Sequence, residues 1–158
     1  MKNLTKTQII FFVITVAVMV CIFLFSCENS DKSSETSGNF VNIIINIFFR
    51  DFDNMTIYQQ TEIYDKISHI IRKTAHFSVY TALGFCSSFA VGKKNNVKSV
   101  GVVAFCFLYA CSDELHQYFI PGRACMFTDV LIDTCGGIMG LLISAIIVKI
   151  TTKNAVPE

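Results

Sequence analysis

The chain has 158 residues, of which 53% are hydrophobic and 16% charged, with a mean hydropathy of +0.53 and a formal net charge of +1. Soluble domains carry about 25% charged residues, so an ordinary soluble domain is excluded and a membrane protein is the expectation. The near-zero net charge, with no basic run interleaved with aromatics, sets nucleic acid aside as a partner. Of the seven cysteines, Cys21, Cys86, Cys106, Cys111 and Cys135 fall inside apolar runs and read as small hydrophobes. Cys27 and Cys125 sit at segment ends, where a disulfide is conceivable but is not the favoured reading.

Taken in order, Lys2 and Lys6 precede the apolar run Ile9 to Phe25, which is close to the roughly 20 residues that span a bilayer core. It predicts a first transmembrane helix over about 8–25. The rival is a signal peptide ending in a lipoprotein box at Leu24-Phe25-Ser26-Cys27, in which Phe25 stands where a small residue is expected. Glu28 to Asn39 is polar and serine-rich with no apolar period, and predicts a loop. Phe40 to Phe49 is apolar but too short to cross. With Asn42, Asn46 and Arg50 on one face, it predicts a short interfacial helix, an amphipathic core helix being the equal alternative.

Ile63, Ile67, Ile70 and Ile71 lead at helical spacing into the apolar run Thr74 to Val91, so a long second transmembrane helix is expected over about 62–91. His69, Lys73, His76, Tyr80 and Gly84 form a polar stripe along it. A third helix is expected over about 99–119, stopped by the turn signal Pro121-Gly122. A fourth is expected over about 128–150, with Thr128 as a candidate N-cap and Gly136, Gly140 and Ser144 as a small-residue contact edge. The fold class is thus all-α: a single domain over 1–158 with four transmembrane helices, plus the interfacial helix in the first extracytoplasmic loop.

Orientation follows from the basic residues. Lys2, Lys6, Lys93, Lys94, Lys98, Lys149 and Lys153 fall on one side against a single acid, Glu158. That side is predicted cytoplasmic, with both termini inside and the chain multi-pass in the cell membrane. At about 1.5 Å per residue from the cytoplasmic ends, His76 lies about 24 Å up, Asp113 about 21 Å, His116 about 26 Å, Asp133 about 24 Å and Asp129 about 30 Å. Three helices therefore deliver ionisable groups to one depth in the outer leaflet.

Asp113, His116 and Gln117 share a helical face, with Glu114 about 100° away. Asp133 and Arg72 read first as ties between helices. The cluster of His76, Asp113, Glu114, His116 and Arg123 reads as a functional pocket, because a tie needs two partners rather than five. His76, Asp113, Glu114 and His116 are the candidate catalytic groups. Arg72, Lys73, Gln117, Arg123 and Asp129 are the candidates for binding substrate. A divalent metal on His76, Asp113 and His116 fits the residue types without matching a strong metal motif. A metal-free site with His116 oriented by Asp113 and Arg123 gripping a phosphate fits equally, and whether there is turnover stays open.

Arg72-Lys73-Thr74-Ala75-His76-Phe77, then Tyr80 and Leu83-Gly84, Ser112-Asp113-Glu114-Leu115-His116-Gln117-Tyr118-Phe119-Ile120-Pro121-Gly122-Arg123, Asp129-Val130-Leu131 and Gly136-Gly137 together resemble the VanZ-like family. That family is named for a membrane protein conferring low-level resistance to the glycopeptide teicoplanin. The resemblance implies a small multi-span bacterial membrane protein of the cell envelope, with a link to glycopeptide susceptibility, and it supplies no reaction. Two departures stand out: Asp133 where the family pattern has asparagine, and Glu28 where it has glutamine. The combined expectation is an outward-facing pocket that binds or modifies an anionic envelope component, such as a lipid-linked cell-wall precursor, among membrane lipids. The alternative is a non-enzymatic scaffold or partner-binding protein whose polar cluster only ties helices together.

Overall fold

Thr5 and Gln8 start the first helix with a reciprocal cap: Gln8 N–H donates to Thr5 Oγ1 at 3.3 Å and Thr5 N–H donates to Gln8 Oε1 at 3.0 Å. The computed structural model describes residues 4–27, 30–92, 95–121, 123 and 125–154. Lys2, Glu28, Lys93, Lys94, Gly122 and Glu158, which enter the expectations above, lie outside these. The helices are α1 (Lys6–Ser26), α2 (Ser30–Phe48), α3 (Ile57–Ala90), α4 (Asn96–Gln117) and α5 (Phe127–Asn154), with a 3-10 turn at Phe52–Asn54 between α2 and α3. No strand occurs among the described residues, and the fold is all-α.

The expected loop over residues 28–39 is corrected, because α2 already begins at Ser30. A polar stretch without apolar period can still be helical when its far end is anchored, since extending an existing helix avoids the nucleation cost. The anchor is Val41 and Ile45, both buried against Ile67 of α3 with Ile63, Tyr64 and Ile71 around them. Phe40, Ile43, Ile47 and Phe48 remain exposed on the other side of α2.

Helix α3 starts five residues before the expected position, because Thr56 and Gln59 form a second reciprocal cap. It runs 34 residues, about 51 Å, and stops at Gly92, whose φ of 78° is the left-handed conformation that ends helices. Asn95 accepts from Lys98 N–H at 2.8 Å and starts α4 earlier than expected. Helix α5 opens at Phe127, one residue before Thr128, with Asp129 in its first turn.

Helix α3 is central: it touches all four other helices, and α5 most extensively. The expected small-residue edge of α5 meets α3 directly. A Cβ on Gly136 would lie 2.5 Å from the Phe77 carbonyl oxygen and one on Gly140 2.6 Å from Phe85 N, while one on Gly137, beside that edge, would lie 2.8 Å from Cys106 Cβ of α4. Ser144 Oγ donates to Ser88 Oγ at 2.8 Å further along the same contact. Ile22, Tyr80, Leu83, Val102, Cys106, Ala110 and Val130 form the core between α1, α3, α4 and α5.

Large apolar side chains cover the outside, including Phe12, Phe23 and Leu24 on α1, Leu108 and Leu115 on α4, and Leu142 and Ile146 on α5. Two helices, α1 and Phe127–Lys153 of α5, are long and apolar enough to cross a membrane. Gln8 Nε2 donates to Ala90 O at 3.4 Å and Lys98 Nζ to Val91 O at 2.8 Å. The starts of α1 and α4 therefore share one end of the bundle with the end of α3. All seven cysteines are free.

Candidate functional site

At the opposite end, α3, α4 and α5 surround a cavity of about 200 Å³. Its walls are His69, Arg72, Lys73 and His76 from α3, Glu114 and Gln117 from α4, Asp129, Ile132 and Asp133 from α5, and Arg123 and Met126 from the α4–α5 connection. The polar stripe of α3 supplies one wall because residues three and four apart stack on one face. Along that stripe Tyr80 is fully buried, its hydroxyl without a partner among the described residues, and Gly84 lies against Gly137.

Helix α4 reaches the site through a stripe that changes character. Val102, Cys106, Ala110, Asp113, Glu114 and Gln117 are all buried, so the apolar stripe continues into three polar residues without leaving the inner face. Asp113 is 4% exposed, Glu114 2% and Asp133 1%. Sealed groups of this kind need partners, since an isolated buried carboxylate costs several kcal/mol.

The partners form a connected network. Met126 N–H donates to Glu114 Oε2 at 2.9 Å, holding the α4–α5 connection against α4. Gln117 Nε2 donates to Asp113 Oδ2 at 3.1 Å and to Ser26 Oγ at 3.3 Å, while its Oε1 accepts from Arg123 Nη1 at 3.0 Å. Arg123 Nη2 also donates to Phe25 O at 3.3 Å, so one arginine and one glutamine bind the end of α1 to α4. Lys73 pairs with Asp129 across α3 and α5. His76 Nδ1 stands 3.7 Å from Asp133 Oδ2 and 4.0 Å from Asp113 Oδ2. Arg72 lines the cavity and makes no hydrogen bond or ion pair with a described residue.

The structure thus brings together His76, Asp113, Glu114, Gln117, Arg72, Lys73, Arg123 and Asp129. It does not bring His116 to them. That ring packs at a tilt against Phe23 of α1 with centroids 4.8 Å apart, and its Nε2 lies 3.4 Å from Cys27 Sγ. A metal shared by His76, Asp113 and His116 is therefore not what this geometry offers. The expected pairing of Asp113 with His116, with Glu114 turned aside, is also corrected: Glu114 lines the cavity and His116 packs on α1. The buried spacing 106, 110, 113, 114, 117 was the signal that could have placed Glu114 inside. Sequence reasoning also missed Ser26 and Ile132, and it treated Asp133 as a tie rather than as a member of the central group.

A family model described as VanZ/LLP1 matches residues 11–148. The chain belongs to the VanZ/LLP1 family. The match spans all three walls of the cavity as well as most of α1. No curated protein and no solved structure matches the chain. The VanZ/LLP1 assignment therefore fixes kinship, and the chemistry has to be argued from the site itself. Asp133, the departure from the family pattern noted above, faces His76 at the centre of that site; Glu28, the other, lies outside the described residues.

Proposed function

We propose that this VanZ/LLP1-family protein crosses the cell membrane four times, through α1, the second half of α3, α4 and α5, with both termini in the cytoplasm. On this reading the cavity opens outward and binds the anionic group of a lipid-linked envelope component, with glycopeptide susceptibility lowered through that contact. The support for four crossings is that α3 and α4 pack beside the two clearly apolar helices and carry the buried cluster on faces turned toward them. Charged side chains are kept inside a membrane where they meet each other or a cavity. The lysine distribution supports the orientation. Helix α2, with Phe40, Ile43, Ile47 and Phe48 exposed, would lie in the outer interface.

The observation that carries the binding reading is Arg72, a guanidinium in a cavity wall with no described partner, beside Lys73 and Arg123. A planar cation that can take a phosphate with two parallel hydrogen bonds suits an anionic headgroup. The test is binding of a polyprenyl phosphate to the purified chain in detergent. Binding that weakens about tenfold in Arg72→Ala, with unchanged thermal unfolding, supports the reading; equal binding by wild type and variant contradicts it.

The scaffold reading draws on one specific observation, the Gln117 and Arg123 network that joins α1, α4 and the α4–α5 connection. It expects replacements throughout the cluster to lower stability while leaving phosphate affinity unmoved.

A further inference from the structure

Three helices bring His76, Asp113 and Asp133 into one group in which one donor atom from each lies within 4.8 Å of the others. The spacing is informative. At 3.7 and 4.0 Å the imidazole nitrogen is beyond hydrogen-bond distance of both carboxylates. Two donors held about 2.0–2.2 Å from one shared ion lie about 3–4.4 Å apart, depending on the angle between them. Both His76 separations therefore fit ligands sharing an ion better than they fit a hydrogen-bonded triad.

A second observation points the same way. Asp133 is 1% exposed, and its Oδ2, the atom facing His76, has no hydrogen-bond partner among the described residues. A native protein does not ordinarily leave a carboxylate oxygen sealed from water beside another carboxylate, since both desolvation and like-charge repulsion oppose it. A dication between the two removes both penalties.

We propose that His76, Asp113 and Asp133 hold a first-row divalent cation, of the zinc or manganese type, through Nδ1 and the two Oδ2 atoms. One imidazole nitrogen with two carboxylate oxygens is a donor set that such ions accept. Gln117 acts from behind: its Nε2 donates to Asp113 Oδ2 and its Oε1 is held by Arg123, the outer support that orients a ligating carboxylate. His76 and Asp133 both line the cavity, so the remaining coordination positions face its interior and are open to water or an anion.

The ion also sets the sign of the cavity. Asp113, Glu114, Asp129 and Asp133 outnumber the fixed cations Arg72, Lys73 and Arg123, so with a neutral imidazole the group is net negative and would repel a phosphate. A dication makes it net positive. This charge argument deepens the anion-binding reading and rests on it, whereas the geometric argument does not.

The experiment uses the full chain in detergent, stripped with a chelator and titrated separately with Zn²⁺ and Mn²⁺ in the absence of any phosphate. The proposal expects one equivalent of at least one ion to bind the wild type. Asp133→Asn keeps the side-chain shape, and it and His76→Ala should each weaken binding about 100-fold or more, because each removes a direct ligand where loss of an outer support alone costs about 10–100-fold. Ser144→Ala, at the other end of the bundle, should bind as the wild type does. Failure of the folded wild type to take up either ion overturns the proposal, as does undiminished binding by the His76→Ala/Asp133→Asn double variant. Polyprenyl phosphate binding is measured in parallel. A chain that binds phosphate but no ion loses this site and keeps the cavity reading, and a chain that binds the ion but no phosphate does the reverse.

Discussion

Toward one end of the α3–α5 contact, Gly84, Gly137 and Gly140 let the two helices approach until backbone touches backbone, while toward the other, His76 and Asp133 face each other across a polar gap. Both regions use the same face of α5, which runs Asp129, Asp133, Gly136, Gly140, Ser144 at helical spacing. Where that face carries no side chain the helices close. One turn earlier it carries Asp133 and Asp129, which line the cavity with His76 and Lys73 of α3. The cavity's position is therefore set by where the glycines stop, and the charged groups occupy the one part of the interface that has room for them.

Replacements at the closed end should have the largest effect. Gly140→Leu drives a side chain into the Thr81 and Phe85 backbone, which cannot withdraw as a flexible side chain could. The expected loss is about 3 kcal/mol or more, read as failure to accumulate in membranes or as a large drop in thermal unfolding temperature. Near-normal accumulation would show that the two helices separate more easily than this contact implies.

At the open end the effects should be smaller and divided between stability and binding. Glu114→Ala removes the acceptor of the Met126 N–H and should cost about 1–3 kcal/mol, releasing the α4–α5 connection to proteolysis. Arg72→Ala should leave unfolding unchanged and lower only phosphate affinity, which sharpens the contrast between a wall that holds the fold and one that meets a ligand. Back at the closed end, Ser144→Ala removes the hydroxyl that reaches Ser88 and should cost about 0.6 kcal/mol, the usual size of such a bond between membrane helices. The smallest effect belongs outside both regions. The Glu62 carboxylate accepts a hydrogen bond from Lys66 at 2.6 Å and holds that ammonium above its usual range. The contribution is present below the ordinary lysine value and fades as pH rises through the raised one, and because the pair is exposed, Glu62→Gln should leave the neutral-pH unfolding temperature unchanged.

The closed end was legible in the sequence, because Gly136, Gly140 and Ser144 at four-residue spacing announce a close helix contact. Much of the open end was legible too, since counting residues up each helix places His76, Asp113 and Asp133 at one height. What the count leaves out is rotation. Height along a helix follows from sequence alone, but the direction of His116 depends on where α1 lies, and Phe23 and Cys27 take that ring. The start of α2 was hidden for a different reason: the polar run from Ser30 has no helical signature of its own, and the docking of Val41 and Ile45 onto α3 supplies what it lacks.

The proposed outward orientation of the cavity is tested most directly by the native cysteine near Arg123. Cys125 is exposed in the α4–α5 connection, two residues from Arg123. A membrane-impermeant maleimide applied to intact cells carrying Cys27→Ser should label Cys125, with added Cys125→Ser silencing that signal, whereas Lys98→Cys on the Cys27→Ser/Cys125→Ser background should label only after the membrane is opened. Labelling of position 98 from outside, with Cys125 reached only in opened cells, would contradict the account.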